Sequence, residues 1–174
     1  MDAERLRQTL KNTAQQAVEL ACRLGVEQAE AGISYDEGLS VTVRLGELES
    51  VERQRDRGLA VTVYAEGRKG SASTSECSPA AVEETVRKAV SIARFTAEDE
   101  YAGLAEAELM AHDPPDLDLH HPWDVGVAQA EALARRAENA ARGMDARISN
   151  SEGATVATGQ GVRVYANSHG FCEG

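Results

Sequence analysis

Long apolar runs, aromatic residues and cysteines are all scarce in this sequence. No stretch of even ten consecutive apolar residues occurs in the 174 residues, which excludes a membrane-spanning helix. Only 4% of the residues are aromatic, so aliphatic side chains and alanine must form most of the core. The three cysteines, Cys22, Cys77 and Cys172, show neither CxxC nor another metal-binding spacing. Because the chain begins with a polar helix pattern instead of an export signal, we expect reduced thiols and a cytoplasmic protein.

Basic residues are also fewer than acidic ones, and most of the acidic excess lies in one segment. The chain has 18 Lys and Arg residues against 29 Asp and Glu residues, a formal net charge of −11. Residues 96–124 contain nine of the acidic residues and no Lys or Arg. Binding to nucleic acid or to anionic lipid requires a basic surface that neutralises phosphates. We therefore expect neither a nucleic-acid partner nor a membrane partner.

Apolar spacings of three and four residues predict three helices. The first has one apolar stripe and ends at Gly25, where glycine is a common helix stop. Ser78-Pro79 predicts the start of the second, with a hydroxyl cap followed by proline in the first turn. The third should run from Val125 to Arg142, capped by Asp124. The acidic segment 96–124 holds three of the four prolines, so we expect it to be extended or looped.

Alternating apolar and polar residues predict an antiparallel meander of three or four strands between about residues 29 and 75. The charged stretch Glu52–Arg57 should separate two of these strands. Near the carboxyl end, we expect Gly159-Gln160-Gly161 to turn the chain between two strands of a closing hairpin. These elements predict an α+β fold, an antiparallel β-sheet meander with flanking helices. We expect residues 1–174 to form a single domain, truncated at its carboxyl end because the chain stops inside a strand-like run.

The richest cluster of potential metal ligands lies between His112 and Pro122. It contains three histidines and three aspartates within ten residues, all of them possible ligands. Their spacing matches no known ligand set, and the prolines would hold neighbouring side chains apart. We therefore expect an extended acidic connector in which Leu117 and Leu119 dock on the core.

Three smaller motifs have simpler structural interpretations than catalytic ones. Gly67–Ser71 lacks the GxxxxGK[ST] spacing of a phosphate loop, and we expect it to form a hairpin turn. Ser168 and His169 are adjacent on a strand, so their side chains should point to opposite faces. Cys77, just before a predicted helix, is expected to be structural. HExxH, GxSxG and dinucleotide-binding motifs are absent, and the sequence predicts no catalytic, cofactor-binding or metal-binding residue.

Several longer strings resemble the amino-terminal domain of the TldD/PmbA family, also called the modulator of DNA gyrase family. The resemblance covers nearly the whole chain, is greatest to the PmbA-type (TldE-type) branch, and rests on strings in the same order. They are Gly58-Leu-Ala-Val-Thr-Val-Tyr64, Gly67-Arg-Lys-Gly-Ser-Ala-Ser73, Ala93-Arg-Phe-Thr96, Tyr101-Ala-Gly-Leu-Ala105, Pro115-Asp-Leu-Asp-Leu119 with His121-Pro122, Ile148-Ser-Asn-Ser-Glu-Gly153 and Asn167-Ser-His-Gly170.

This resemblance implies an intracellular bacterial peptidase system. In the family, TldD-type subunits carry zinc on an HExxxH helix, and PmbA-type subunits lack that motif and pair with a TldD-type subunit. The complex accepts extended or unfolded peptides. Because HExxxH is absent here, the resemblance implies a non-catalytic scaffold or substrate-gathering domain, with zinc only in the partner. Two alternatives remain open: a regulatory protein-interaction module linked to DNA gyrase, and a small metal-binding enzyme that uses the His112–His121 cluster.

Overall fold

The computed structural model describes residues 2–174 and contains three helices and five strands. In chain order these are α1 (Ala3–Arg23), β1 (Gln28–Arg44), β2 (Glu47–Ala65), β3 (Arg68–Thr74), α2 (Pro79–Ala93), α3 (Val127–Arg142), β4 (Ala154–Asn167) and β5 (Cys172–Glu173). A single 3₁₀ turn, Ala107–Leu109, interrupts the otherwise irregular acidic segment 96–124, as expected for that segment. None of the helices in the described residues is long and apolar enough to cross a membrane.

The five strands form one antiparallel sheet in the order β3-β2-β1-β4-β5. The hairpins β1–β2 and β2–β3 each turn through two residues with positive φ, Leu45-Gly46 and Glu66-Gly67. Such turns match the right-handed twist of the strands that they join. The predicted α+β fold with an antiparallel sheet and flanking helices is therefore confirmed.

The chain divides into two compact units. Unit 1 consists of the chain up to Tyr35 together with Asp56–Asp116 and Val162–Gly174, and unit 2 consists of Asp36–Arg55 and Leu117–Gly161. Three of the boundaries fall inside strands β1, β2 and β4, so each of these strands contributes to both units. The single domain expected for residues 1–174 stays a prediction.

In unit 1, helices α1 and α2 supply the apolar residues that cover one face of the sheet, here called the inner face. Alternate strand residues point into this core, and the helices add residues three and four positions apart. Ser78 caps α2 as predicted, its Oγ accepting a hydrogen bond from the Ala81 N–H at 3.3 Å. The buried residues of the core include Leu10, Ala14, Ala17, Ala21, Ala29, Ala31, Ile33, Leu59, Val61, Val63, Val82, Val86, Ala89 and Val164. Alanine and valine make up most of this core, in keeping with the scarcity of aromatic residues.

Helix α2 approaches strand β3 so closely that one position tolerates no side chain. A Cβ atom added to Gly70 would lie 2.5 Å from the Ala93 nitrogen and even closer to the Ala89 carbonyl oxygen. Both of these are backbone atoms of α2, which cannot move aside as a flexible side chain would. Glycine at position 70 therefore allows the edge strand to pack directly on the helix backbone.

In unit 2, helix α3 contributes to a small core and stabilises a turn. Val125 and Ala130 pack with Leu39 and Val41 of β1. Glu138 of α3 is only 2% exposed, and its two carboxylate oxygens accept hydrogen bonds from the main-chain N–H groups of Leu45 (2.6 Å) and Gly46 (2.7 Å). One side chain thus satisfies both donors of the β1–β2 turn, which would otherwise be left without partners.

Three local predictions are wrong. Strand β2 continues through the charged stretch Glu52–Arg57, because these residues are exposed and their charges stay in water. Strand β4 continues through Gly159-Gln160-Gly161, where neither glycine has a positive φ, and the closing hairpin instead lies between β4 and β5. Helix α3 begins after Gly126, without the Asp124 cap.

Replacing Gly70 by alanine should destabilise the fold by about 2 kcal/mol or more, because the new methyl group overlaps the α2 backbone. Urea unfolding followed by far-UV circular dichroism measures this loss. Gly32→Ala is the matched control, since a Cβ at position 32 meets nothing within 4 Å and φ there is not positive. Equal stability of the two variants would contradict the close packing of β3 on α2.

Replacing Glu138 by glutamine should lower the melting temperature by several degrees at neutral pH. Burial is the largest single influence and raises the pKa of Glu138, but hydrogen bonds from Gly46, Leu45 and Ser151 and the charge of Arg142 together outweigh it, so the pKa is lowered. A lowered pKa stabilises the folded state above the unfolded-state pKa of about 4.3, and this gain disappears as the pH falls through the folded-state pKa. The difference in melting temperature between wild type and variant should therefore shrink below about pH 4.3. The control is Glu131→Gln, which removes the Glu131–Arg135 ion pair of the same helix and should change the melting temperature little at neutral or acidic pH. A Glu138→Gln effect that does not change with pH would contradict the stabilising role of the Glu138 carboxylate.

Candidate functional site

The face of the unit 1 sheet opposite helices α1 and α2, here called the outer face, forms an open concavity of about 520 Å³. Its floor is built from residues with small side chains on three neighbouring strands. These are Gly32 and Ser34 of β1, Gly58 and Ala60 of β2, and Ser73 of β3. The strand periodicity places them here, because the bulky apolar residues of the same strands alternate with them and point into the core.

A hydrogen-bonded row of three side chains crosses the same face at one end. The hydroxyl of Tyr64 on β2 donates to Glu30 Oε1 at 2.9 Å, and the hydroxyl of Tyr165 on β4 donates to Glu30 Oε2 at 2.8 Å. Burial, followed by the Glu30 hydrogen bond and charge, raises the pKa of Tyr64 to about 12. Burial is also the main cause that raises the pKa of Tyr165. Both phenols therefore stay protonated at neutral pH and act as hydrogen-bond donors to one carboxylate.

Residues 96–104, the start of the acidic segment, are attached to the same end of the sheet. The Arg68 guanidinium donates to the Thr96 carbonyl oxygen at 2.8 Å and to Glu98 at 2.6 Å. The Asp99 N–H donates to the Gly67 carbonyl oxygen at 2.7 Å, and the Leu104 N–H donates to Gln28 Oε1 at 2.7 Å. This stretch thus contacts strands β3 and β1 and the turn that precedes β3, and it borders the outer face.

Strand β3 forms one edge of the sheet, and its outer side has no strand partner among residues 2–174. Ala65 and Arg68 flank the two-residue turn and pair with each other, so every second residue from Arg68 exchanges hydrogen bonds with β2. The main-chain groups of Lys69, Ser71 and Ser73 therefore point outward. Consistent with this, the Lys69 carbonyl oxygen accepts a hydrogen bond from the Thr96 hydroxyl at 2.9 Å. The edge at Ser71 and Ser73 is exposed.

The cluster between His112 and His121 lies in exposed, irregular chain. No group of three or more His, Cys, Asp or Glu side chains in residues 2–174 is arranged to hold a metal ion. His121 lies 3.7 Å from Asp118 on the surface. The expected docking of Leu117 and Leu119 is wrong: their side chains are 67% and 81% exposed. The donor set of the described residues therefore does not fit the zinc that the family implies for its catalytic subunit.

The other sequence motifs take structural roles. The predicted hairpin is present, but its turn is shorter than expected: only Gly67 of the Gly67–Ser71 motif lies in the turn, and residues 68–71 belong to β3. Ser168 and His169 lie in the turn after β4 and not on a strand as expected. Ser168 does not pair with His169: its hydroxyl accepts a hydrogen bond from the Ala29 N–H at 3.1 Å, which ties the end of β4 to β1. Cys77 is half-buried against the unit 1 core.

Sequence reasoning missed the Tyr64–Glu30–Tyr165 row because its members are far apart in the chain. The available signal was the position of each residue in the alternating strand pattern, because each is a polar or aromatic residue between apolar neighbours. This alternation shows which face of the sheet a residue occupies, but it could not show that the three strands place these side chains next to each other.

Replacing Glu30 by glutamine should lower the pKa of Tyr64, because the charged acceptor of its hydroxyl is lost. The pKa should stay above the usual value of about 10, since burial contributes most to the shift. Tyrosinate absorbance during an alkaline titration measures this change, with Tyr64→Phe to assign the signal. Glu83→Gln removes an exposed carboxylate from α2 and serves as the control. Superimposable curves for wild type and Glu30→Gln would contradict the bridging role of Glu30.

Two sequence models of one family match the chain. The PmbA/TldA metallopeptidase domain 1 matches residues 29–93, and the PmbA/TldA metallopeptidase central domain matches residues 120–173. Metalloprotease PmbA of Escherichia coli O157:H7 is 46% identical over 171 residues, and the PmbA homologue of Haemophilus influenzae is 45% identical over 166. These alignments cover 98% and 95% of this chain. They cover only 38% and 37% of the relatives, so the chain spans under two fifths of their length.

Solved structures show the same fold. A Bacteroides thetaiotaomicron protein described as a modulator of DNA gyrase superimposes with a TM-score of 0.83 at 25% identity, covering 94% of this chain and 37% of its own. TldE from Thermococcus kodakarensis gives a TM-score of 0.73 at 17% identity, covering 92% and 36%. With both family models and nearly full-length alignment to the curated relatives, the chain belongs to the TldD/PmbA metallopeptidase family.

Proposed function

We propose that this chain is the non-catalytic scaffold and substrate-gathering part of a PmbA-type (TldE-type) subunit. In this proposal the subunit acts in an intracellular, cytoplasmic TldD–PmbA zinc metallopeptidase complex. The TldD-type partner supplies the zinc and the chemistry, and this chain holds extended or unfolded peptides. Family membership supports the metallopeptidase assignment.

The observation that carries the gathering role is the combination of an open sheet face with an unpaired strand edge. The outer face is a concavity of about 520 Å³, and the main-chain groups of Ser71 and Ser73 point away from the sheet beside it. Extended peptides bind to such edges by adding a strand, through main-chain hydrogen bonds that depend little on sequence. HExxxH is absent from the chain, which supports a non-catalytic role.

A second candidate is a regulatory protein-interaction module linked to DNA gyrase, favoured by the description of the Bacteroides neighbour. It would act through protein contacts, because the net charge of −11 opposes direct binding to DNA. Exposed apolar side chains in the acidic segment, such as Tyr101 and Leu109, are suited to contacts of this kind.

The test of the proposed function uses an unfolded peptide with the chain alone and with a TldD-type subunit. The chain alone should bind the peptide but cleave it no faster than buffer, with or without chelator. Cleavage should appear when the TldD-type subunit is present, and chelator should abolish it. The control ligand is a small folded protein, as close in length to the unfolded peptide as possible, and it should not bind to the chain. Chelator-sensitive cleavage by the chain alone, or no binding of the unfolded peptide, would contradict the proposal.

A further inference from the structure

We propose that the outward side of strand β3, at Ser71 and Ser73, is the docking edge for the peptide, and that the peptide segment bound there is extended and uncharged. This inference rests on the proposed function and names the strand that performs it. It also specifies the recognition: main-chain hydrogen bonds to alternate residues of β3, with the ligand adding a sixth strand to the sheet.

Charge along the free edges distinguishes β3 from β2. Strand β2 is longer than β3, so residues 47–57 have no β3 partner. Seven of those eleven residues are charged, and nearly all are exposed. Exposed charges are a common protection against unwanted strand pairing. Residues 71–75, Ser-Ala-Ser-Thr-Ser, carry no charge and no proline. The protection present on β2 is therefore missing at the outer part of β3.

The edge at Ser71 and Ser73 is also held firmly in place, and its outward main-chain N–H and C=O groups are available for hydrogen bonds. Gly70 packs against the α2 backbone, and the β2 ladder holds Gly70 and Ala72. The Thr96 hydroxyl already occupies the Lys69 carbonyl oxygen, which sets one end of the free edge. The Ser71 hydroxyl is hydrogen-bonded to Thr62 of the neighbouring strand at 3.0 Å, so the groups of this residue that point outward along the edge are those of the main chain. A fixed backbone of this kind lowers the ordering cost of binding.

The chemistry of the occupant follows from these groups. The edge offers alternating N–H donors and carbonyl acceptors, which only another extended main chain satisfies in register. An uncharged segment suits it because residues 71–75 provide no counter-charge. Alternate side chains of the added strand would lie on the outer face, where the concavity begins at Ser73 and Thr74.

Fluorescence anisotropy with an acetylated and amidated peptide of alternating Val and Ser, labelled with fluorescein, tests the proposal. Wild type should bind it saturably and should not bind the same peptide N-methylated at every residue, which has lost the N–H donors of both its edges. Ser73→Pro removes an outward N–H without touching the β2 ladder, a position where strands tolerate proline. It should weaken binding at least about tenfold.

Two matched controls separate the edge from other effects. Ser73→Ala keeps the main chain and should bind as wild type does. Ser50→Pro places the same substitution on the charged edge of β2 and should also leave binding unchanged. Residues Arg44 and Glu47 flank the β1–β2 turn and pair with each other, so Ser50 points its main-chain groups away from β1.

Melting temperatures show which variants remain folded, and amide hydrogen exchange of wild type tests the edge without any variant. Peptide should slow exchange at Ser71 and Ser73.

The outcomes separate this inference from the proposed function. Absence of peptide binding by wild type contradicts the proposed function and this inference together. Binding that Ser73→Pro leaves intact, with no protection at Ser71 and Ser73, overturns the docking edge alone and leaves the proposed function standing. Self-association by sedimentation that Ser73→Pro abolishes, without peptide binding, would assign the edge to a second copy of the chain and overturn the peptide as occupant.

Discussion

The packing of strand β3 on helix α2 depends on the absence of a side chain at Gly70. The α2 backbone lies so near that a methyl group at this position would overlap two of its atoms. The sheet edge is therefore defined by a backbone-to-backbone contact, which is less compliant than an interface of flexible side chains. Because β3 is fixed from behind by α2 and from the side by β2, its outward main-chain groups keep the geometry of a strand even without a partner on that side.

Much of the fold could be predicted from local patterns, and the two errors about strand ends have a common cause. The three helices and the β2–β3 hairpin follow from periodicity, capping and turn residues that act over a few positions. The two strand errors occurred where glycine or charge was taken as a break. Gly159 and Gly161 adopt ordinary strand conformations, and the charged part of β2 is exposed, so neither feature had a reason to end a strand. Both predictions used residue type without knowing the tertiary environment.

The polar features of the site were less predictable because they join residues distant in sequence. Glu30 meets Tyr64 and Tyr165 across strands that are 34 and 135 positions away, and Glu138 meets the Leu45-Gly46 turn over more than 90 positions. Local pattern shows which face a residue occupies but not its neighbour on the next strand. The histidine cluster shows the converse: residues close in sequence stay apart in an exposed, proline-containing segment.

The hydrogen-bonding capacity of unit 1 indicates how it could hold a peptide. Both oxygens of Glu30 accept hydrogen bonds from tyrosine hydroxyls, and the Ser71 hydroxyl is hydrogen-bonded to Thr62, so these side chains already have partners within the sheet. The outward main-chain groups at Ser71 and Ser73 are still available. Recognition through the main chain selects for an extended conformation more strongly than for a particular sequence. A folded protein has its strand groups paired already, so a surface of this kind favours unfolded chains over folded ones, as the proposed gathering of unfolded peptides requires.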